Sequence, residues 1–244
     1  MDNLGVIPAR LASTRLPDKV LRLICGKPMV QIVWENAKKA KLLDEVIIAC
    51  DDERVKKVCT EFGAKVQFTA KEHASGTDRL SEVVNPLDIK NVVNIQADEP
   101  LIKPQMIDSL INTLIHDKQI QMATLAKRIT NLEDLSNPNV VKVVKDKSDW
   151  ALYFSRSPIP YQRNKEAGEA SVFFKHIGLY AYTKDFLFTF RNLAKSSLEN
   201  IEQLEQLRVL ENGYKIKIIE TDIETIGVDT PEDLLRAEEL LKDY

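Results

Sequence analysis

Cysteine is scarce in this 244-residue chain: Cys25, Cys50 and Cys59 are odd in number, and none stands in a C-x-x-C spacing. A disulfide framework and a cysteine zinc site are therefore not supported, and buried, reduced thiols are expected. Long apolar runs are also lacking. No stretch approaches the ~20 residues that a membrane span requires. The start, Met1-Asp2-Asn3-Leu4, has neither the basic nor the apolar region of a signal peptide, so a cytoplasmic protein with no membrane partner is expected. An excess of positive charge is missing, because the net charge is −3, and no nucleic-acid partner is expected. There is no Walker G-x-x-x-x-G-K-[ST] pattern. Ser-His-Asp and Cys-His arrangements, repeats, low-complexity segments and linkers are absent too. What remains is 44% hydrophobic content, enough for a substantial core, and a single domain over residues 1–244 is expected.

The informative stretch comes almost first. Residues 4–7 form a short apolar run with β-branched members, the pattern of a buried strand. Pro8 stops it, and the following loop carries Arg10, Arg15 and Lys19 with Ser13 and Thr14 between them. Open α/β sheets bind ligands beyond the carboxyl ends of their strands. Clustered Arg and Lys at such an end suit several close negative charges, as in a triphosphate. A solvated basic loop is the bland alternative, and the position after a buried strand argues against it.

Strand and helix then alternate, the signature of a mostly parallel sheet wound on both faces. Pro28 suits the first turn of a helix running to Ala40. Residues 45–50 and 64–68 read as strands, with a helix between them that Asp51 or Asp52 caps and Gly63 stops. In His73-Ala74-Ser75-Gly76-Thr77-Asp78-Arg79, a helix cap by Ser75, Thr77 or Asp78 competes with a close-approach surface for a flat ring, with Arg79 aimed at the ligand. On local grounds the cap wins. Residues 91–96 are a fourth strand ending in Ala97-Asp98-Glu99-Pro100, where two carboxylates suit Mg²⁺, a cation that prefers hard oxygens.

The second half changes character. Residues 122–129, 140–144 and 150–154 read as strands with little helix between them, so an antiparallel extension of the sheet is expected. Ser155-Arg156-Ser157-Pro158-Ile159-Pro160-Tyr161 is a stiff segment, and residues 164–171 are the expected mobile loop. The strand at 175–182 places His176, Gly178, Tyr180 and Tyr182 on one face. Residues 198–210 have the apolar stripe of one amphipathic helix, stopped by Gly213. On it Glu202 and Glu205 share a face. Residues 215–221 read as a strand, and Asp229 or Thr230 with Pro231 opens the last helix.

IPARLASTRLPDKVL, GKPM, SGTDR, NIQADEP, YFSRSPIPY, KHIGLYAY, LENIEQLEQLRVLENG and GVDTPEDL span the chain in order. In that order they resemble the CMP-Kdo synthetase family, the 3-deoxy-manno-octulosonate cytidylyltransferases among the sugar nucleotidyltransferases. IPAR and GKPM are shared more widely; SRSPIPY, HIGLYAY and EQLEQLR narrow the likeness. The resemblance implies a Rossmann-like nucleotidyltransferase fold and a cytoplasmic homodimer. It implies CTP and Kdo as substrates, CMP-Kdo and pyrophosphate as products for lipopolysaccharide, and Mg²⁺ as cofactor. By motif position it puts Pro8, Ala9, Arg10, Arg15, Lys19, Ser75, Gly76, Arg79, Gln96 and Ala97 around the nucleotide. Asp98 and Asp229 would hold the metal, and Arg10, Lys19, Asp98 and Asp229 would be the catalytic set. Gln96, Arg156, His176, Tyr180, Glu205 and Gln206 would hold the sugar. Ala97 departs from the family, which has glycine there. Two other readings stand beside this one: a cytidylyltransferase for 8-amino-Kdo or sialic acid, and a non-catalytic nucleotide-sugar-binding protein.

Overall fold

The first apolar run becomes β1 (Asn3–Ala9), the centre of the sheet in a computed structural model that describes residues 1–12, 16–73, 75–163 and 172–242. Its side chains alternate between the two faces. Leu4 and Val6 join one apolar cluster and Ile7 and Ala9 the other, all without exposed surface. Each large side chain enclosed in this way stabilises the fold by about 1.5–3 kcal/mol. A strand buried on both faces needs helices above and below, and the chain supplies them.

A 3₁₀ turn (Lys19–Leu21) and a small hairpin, β2 (Leu23–Ile24) and β3 (Lys27–Pro28), lead from the first loop to α1 (Met29–Ala37). Pro28 precedes this helix as its cap and does not lie in its first turn. The hairpin turn contains Cys25 and Gly26, both with positive φ. Cys25 is exposed there, so only Cys50 and Cys59 are the buried thiols expected. Then follow β4 (Glu45–Cys50), α2 (Glu53–Glu61) capped by Asp52, and β5 (Lys65–Phe68). Next come α3 (Gly76–Val84), β6 (Asn91–Asn94) and α4 (Pro104–His116). β1 pairs in parallel with β4 on one side and β6 on the other, and β5 adds to β4.

The second half contributes β7 (Met122–Arg128), α5 (Leu132–Ser136), β8 (Lys142–Lys145), β9 (Ala151–Ser155) and β10 (Phe174–Thr183). α6 (Lys184–Asn192), α7 (Ser197–Glu202), α8 (Gln206–Glu211), β11 (Lys217–Glu220) and α9 (Pro231–Lys242) complete it. The sheet runs β11-β7-β10-β6-β1-β4-β5, with β8 and β9 branching from β10. Along that path β10 alone runs against its neighbours, and the β8–β9 pair supplies the rest of the antiparallel extension. A register shift between Ile177 and Tyr180 bends β10, yet the rings of His176, Tyr180 and Tyr182 still stack in sequence, at 5.2 and 5.9 Å.

The single helix expected over 198–210 is two. Gln203 takes a left-handed φ of 53° between α7 and α8. Ile201, read as part of the apolar stripe, is 78% exposed, while Leu204 and Leu207 are buried beyond the break. Glu202 and Glu205 therefore do not share a face. No helix among the described residues is long and apolar enough to cross a membrane. Residues 164–171, expected as a mobile loop, lie outside the described residues.

Candidate active site

β1 has its sequence neighbour β4 on one side and β6 on the other, so chain connections leave its carboxyl end in opposite directions. A crevice at such a point is where open α/β sheets hold ligands. Here it is a cleft of about 540 Å³, lined by Pro8 and Arg10 after β1, Gln96, Ala97 and Asp98 after β6, and Ser75, Gly76 and Arg79 at the start of α3. Lys19 and Asp229 close it from the 3₁₀ turn and from the approach to α9. Arg15 lies outside the described residues, as do Ser13 and Thr14. Ala9 is fully buried in the core beneath.

Lys19 is the electrostatic centre. Its ammonium donates to Asp98 and, at 3.0 Å, to Asp229. Burial alone would lower its pKa, but Asp98 and then Asp229 outweigh that, so the charged form is favoured. The two acids come from residues far apart in sequence. The amide of Val228 donates to the Asp98 carbonyl at 2.8 Å and brings the segment before α9 to the end of β6. Thr230 then caps α9, accepting the Asp233 amide, while the Asp233 carboxylate accepts from the amides of Asp229 and Thr230. Two carboxylates within reach of one ammonium, beside a cationic loop, also fit Mg²⁺, which takes one or two protein carboxylates and completes its shell with phosphate oxygens and water. Among the described residues no group of three acidic, histidine or cysteine ligands forms a closed metal cage.

Glu99, expected to join Asp98 in a carboxylate pair, points elsewhere. It is enclosed and accepts the Gly178 amide, and among the described residues one of its carboxyl oxygens has no hydrogen-bond partner. Burial, then the nearby Asp98 charge, pushes its pKa up to about 8, which keeps it protonated at neutral pH. A Cβ on Gly178 would lie 3.2 Å from Glu99 Oε1, so glycine is what allows β10 to pass this closely.

Ser75 caps α3 by accepting the Asp78 amide at 3.2 Å. At Gly76 an added Cβ would meet Pro8 Cγ at 3.7 Å and Asn94 Nδ2 at 3.8 Å, so the helix start lies against both strand ends. The cap and the cleft wall are thus the same residues, and the two readings of this turn coexist. Arg79 lines the cleft from within its wall. It is 3% exposed and its guanidinium is spent on Asp51 at 2.7 Å, on Thr69 and on the Ala70 carbonyl. It braces that wall, with its guanidinium engaged by these partners. His73 also lines the cleft, with Nε2 held by Glu82, and the sequence reading gave it no role.

The residues assigned to the sugar divide. Gln96 lines the cleft. Glu205 lies behind it, accepting from Thr77 of α3 at 2.8 Å, and burial raises its pKa. It lines a smaller hollow of about 280 Å³ that shares Ser75 with the cleft. Gln206 is buried at the start of α8. His176 and Tyr180 form an aromatic row with Phe154, and the Tyr180 hydroxyl is enclosed beside Thr124. Arg156 is held by main-chain carbonyls of Pro138, Glu202 and Gln203. None of Arg156, His176, Tyr180 and Gln206 lines the main cleft.

Residues 4–218 match the family described as cytidylyltransferase. The chain belongs to that family. It is 52% identical over 248 residues to the 3-deoxy-manno-octulosonate cytidylyltransferase of Geobacter metallireducens, covering 98% of each protein. The enzyme of the same name from Fusobacterium nucleatum is 48% identical over 244 residues, covering 100% of this chain and 98% of its own. Among solved structures, a CMP:2-keto-3-deoxy-manno-octonic acid synthetase complexed with CTP superposes with a TM-score of 0.93 at 41% identity, over 100% of this chain and 99% of that one. A Leptospira borgpetersenii cytidylyltransferase at 14% identity and a TM-score of 0.68 shares the fold, the Rossmann-like nucleotidyltransferase architecture.

Proposed function

We propose that this cytidylyltransferase transfers CMP from CTP to the anomeric hydroxyl of Kdo, releasing pyrophosphate. The observation that carries the reading is the cleft at the end of β1 and β6, where Arg10 and Lys19 stand opposite Asp98 and Asp229. It occurs in a chain that matches a CTP-bound synthetase over its whole length. The sugar oxygen attacks the α-phosphorus in line. A P–O bond to the sugar forms, the bond to the β-phosphate oxygen breaks, and the hydroxyl proton leaves to solvent. Catalysis of this kind rests on positioning and on charge stabilisation. Arg10 and Lys19 neutralise the phosphates and the departing pyrophosphate, and the acids on both sides keep Lys19 protonated. Gly76, packed on Pro8 and Asn94, offers a close backbone surface to the nucleoside. Asp98 and Asp229 would hold Mg²⁺, whose chemistry when bound is to polarise the α-phosphate. The same reading places the enzyme in the cytoplasm as a homodimer that supplies activated sugar for lipopolysaccharide.

The test is pyrophosphate release from CTP with Kdo, 8-amino-Kdo and sialic acid in parallel, with and without Mg²⁺, and light scattering for the dimer. Turnover with Kdo that stops on chelation is expected. Turnover with sialic acid alone refutes the substrate, and no turnover with any acidic sugar refutes the enzyme reading.

A further inference from the structure

The break between α7 and α8 has a use for its freed groups. In a continuous helix the carbonyls of residues 202 and 203 would accept from amides four residues on. Because Gln203 leaves the helix, the Glu202 carbonyl accepts Arg156 Nε at 2.8 Å and the Gln203 carbonyl accepts Nη2 at 3.5 Å. Nη1 donates to the Pro138 carbonyl at 2.9 Å. The Glu202 side chain holds the turn that carries Arg156. One carboxylate oxygen accepts the Ser155 hydroxyl at 2.5 Å and the other accepts the Arg156 amide at 2.9 Å. Ser155 Oγ in turn accepts the Ser157 amide at 3.0 Å, so the latch reaches the start of the stiff segment.

The chemistry of these acceptors matters. Among the described residues, the guanidinium's three partners are neutral carbonyls, and the nearest acid spends both oxygens on a hydroxyl and an amide. Of five N–H donors, two remain among these partners, with the Glu202 carboxylate as the neighbouring countercharge. Lys142 stands beside them. This fully buried lysine is held by the Asn137 and Val140 carbonyls at 2.9 and 2.6 Å; burial and then Arg156 lower its pKa, against the Glu202 and Asp134 carboxylates. Two cations are therefore gathered around the turn at 137–140 and oriented by dipoles.

We infer that Glu202 is a positioning residue for recognition of the sugar's carboxylate: it fixes the Ser155–Ser157 turn and so orients the Arg156 fork with two donors left to offer. The inference rests on the reading of Arg156 as the group that meets the acidic sugar. Glu202→Gln keeps the size but replaces one acceptor with an NH₂ group that cannot accept from the Ser155 hydroxyl or the Arg156 amide. With the full-length protein and pyrophosphate release as the assay, KM for Kdo is expected to rise about tenfold, the equivalent of one or two such hydrogen bonds. KM for CTP stays within about twofold. Glu202→Asp, which keeps the charge on a shorter arm, falls between, and serves if the glutamine variant does not fold. Adding Arg156→Ala to Glu202→Gln gives little beyond Arg156→Ala alone, because one residue acts through the other. An unchanged Kdo KM, a matching rise for CTP, or independent effects in the double variant each overturn the inference. Wild-type protein that turns over no acidic sugar refutes the functional reading instead, so the two failures are separable.

Discussion

Acid is expected to destabilise this protein through His176, by an amount that the structure sets. Thr124 Oγ1 lies 2.9 Å from the Leu179 carbonyl, 3.1 Å from the Ile177 carbonyl and 3.0 Å from His176 Nε2. A hydroxyl has one proton, and the carbonyls can only accept. Toward His176 the oxygen therefore accepts, which assigns the proton to Nε2 of a neutral ring. Phe154 and Tyr180 enclose that ring at 5.1 and 5.2 Å, and burial lowers its pKa to about 3 from the ordinary 6.5. The unfolded chain then binds a proton near pH 6.5 and the folded chain only near 3. Between those values the unfolded state holds more protons, so stability is full above pH 6.5 and is lost as pH falls. At about 1.4 kcal/mol per unit, moving from about pH 7.5 to 5 removes about 2 kcal/mol. Urea denaturation of wild type and His176→Phe across that range measures it. Phenylalanine fills the aromatic row and takes no proton. Its lost bond to Thr124 subtracts a roughly constant ~1 kcal/mol, and carboxylates elsewhere contribute equally to both proteins. The variant's stability should therefore fall by about 2 kcal/mol less than the wild type's over this range. Parallel curves would refute the argument that His176 is buried neutral.

Asp98→Asn and Asp229→Asn are each expected to cut turnover by roughly 10²–10³-fold with the fold retained, and near-normal rates at saturating CTP and modest Mg²⁺ would remove that acid from the metal site. Glu199→Gln breaks the enclosed pair with Arg208, whose two contacts are 2.7 and 2.5 Å. The loss should be about 3–5 kcal/mol in denaturation. Burial opposes ionisation of Glu199, but Arg208 outweighs it and lowers the pKa, so this stabilisation is present above the ordinary carboxylate range and lost as pH falls through the lowered value. Ser75→Ala removes the cap of α3, which should cost about 1 kcal/mol and raise KM for CTP, because the same turn lines the cleft. An unchanged KM would separate cap from wall. Glu205→Gln should lower kcat/KM for Kdo about tenfold, the cost of one charge-assisted bond, and Tm alone changing would make its bond to Thr77 purely structural.

The parts of the molecule that follow local rules were legible in the sequence. A β-branched run followed by a cationic loop can be little else in an α/β chain, and β1 lies there, although it does not stop at Pro8 as expected: Pro8 pairs with Ala49 and the strand ends at Ala9. The caps at Asp52, Ser75 and Thr230 follow from side chains that reach their own backbone. What could not be read was decided by distant partners. Gln203 carries no helix-stop signal, since left-handed stops are mostly glycine or asparagine. The break belongs with contacts across the fold: Glu202 on Ser155 and Arg156, and Glu199 on Arg208. For the same reason Glu202 read only as an acid sharing a helix face with Glu205. Arg79 has the type and position of a ligand contact, and nothing near it in sequence reveals that Asp51, 28 residues away, has taken its charge.

Asp98 and Glu99 make the same point within one dipeptide. Neighbouring carboxylates at a strand end read as a pair, but β6 ends at Asn94 and the chain turns after it, with the Glu99 amide donating to the Gln96 carbonyl at 3.3 Å. Asp98 therefore meets Lys19 in the open cleft, while Glu99 turns under β10 against Gly178. Asp98 has the Lys19 ammonium and the cleft beside it; Glu99 has an amide and an enclosed site, where burial raises its pKa. The metal chemistry proposed for this enzyme needs the first. The second acid on Lys19 comes from 131 residues further on, Asp229, brought across by a main-chain hydrogen bond between Val228 and Asp98. That bond is independent of side-chain identity, which is why the two acids can be recognised by motif while the contact that joins them cannot.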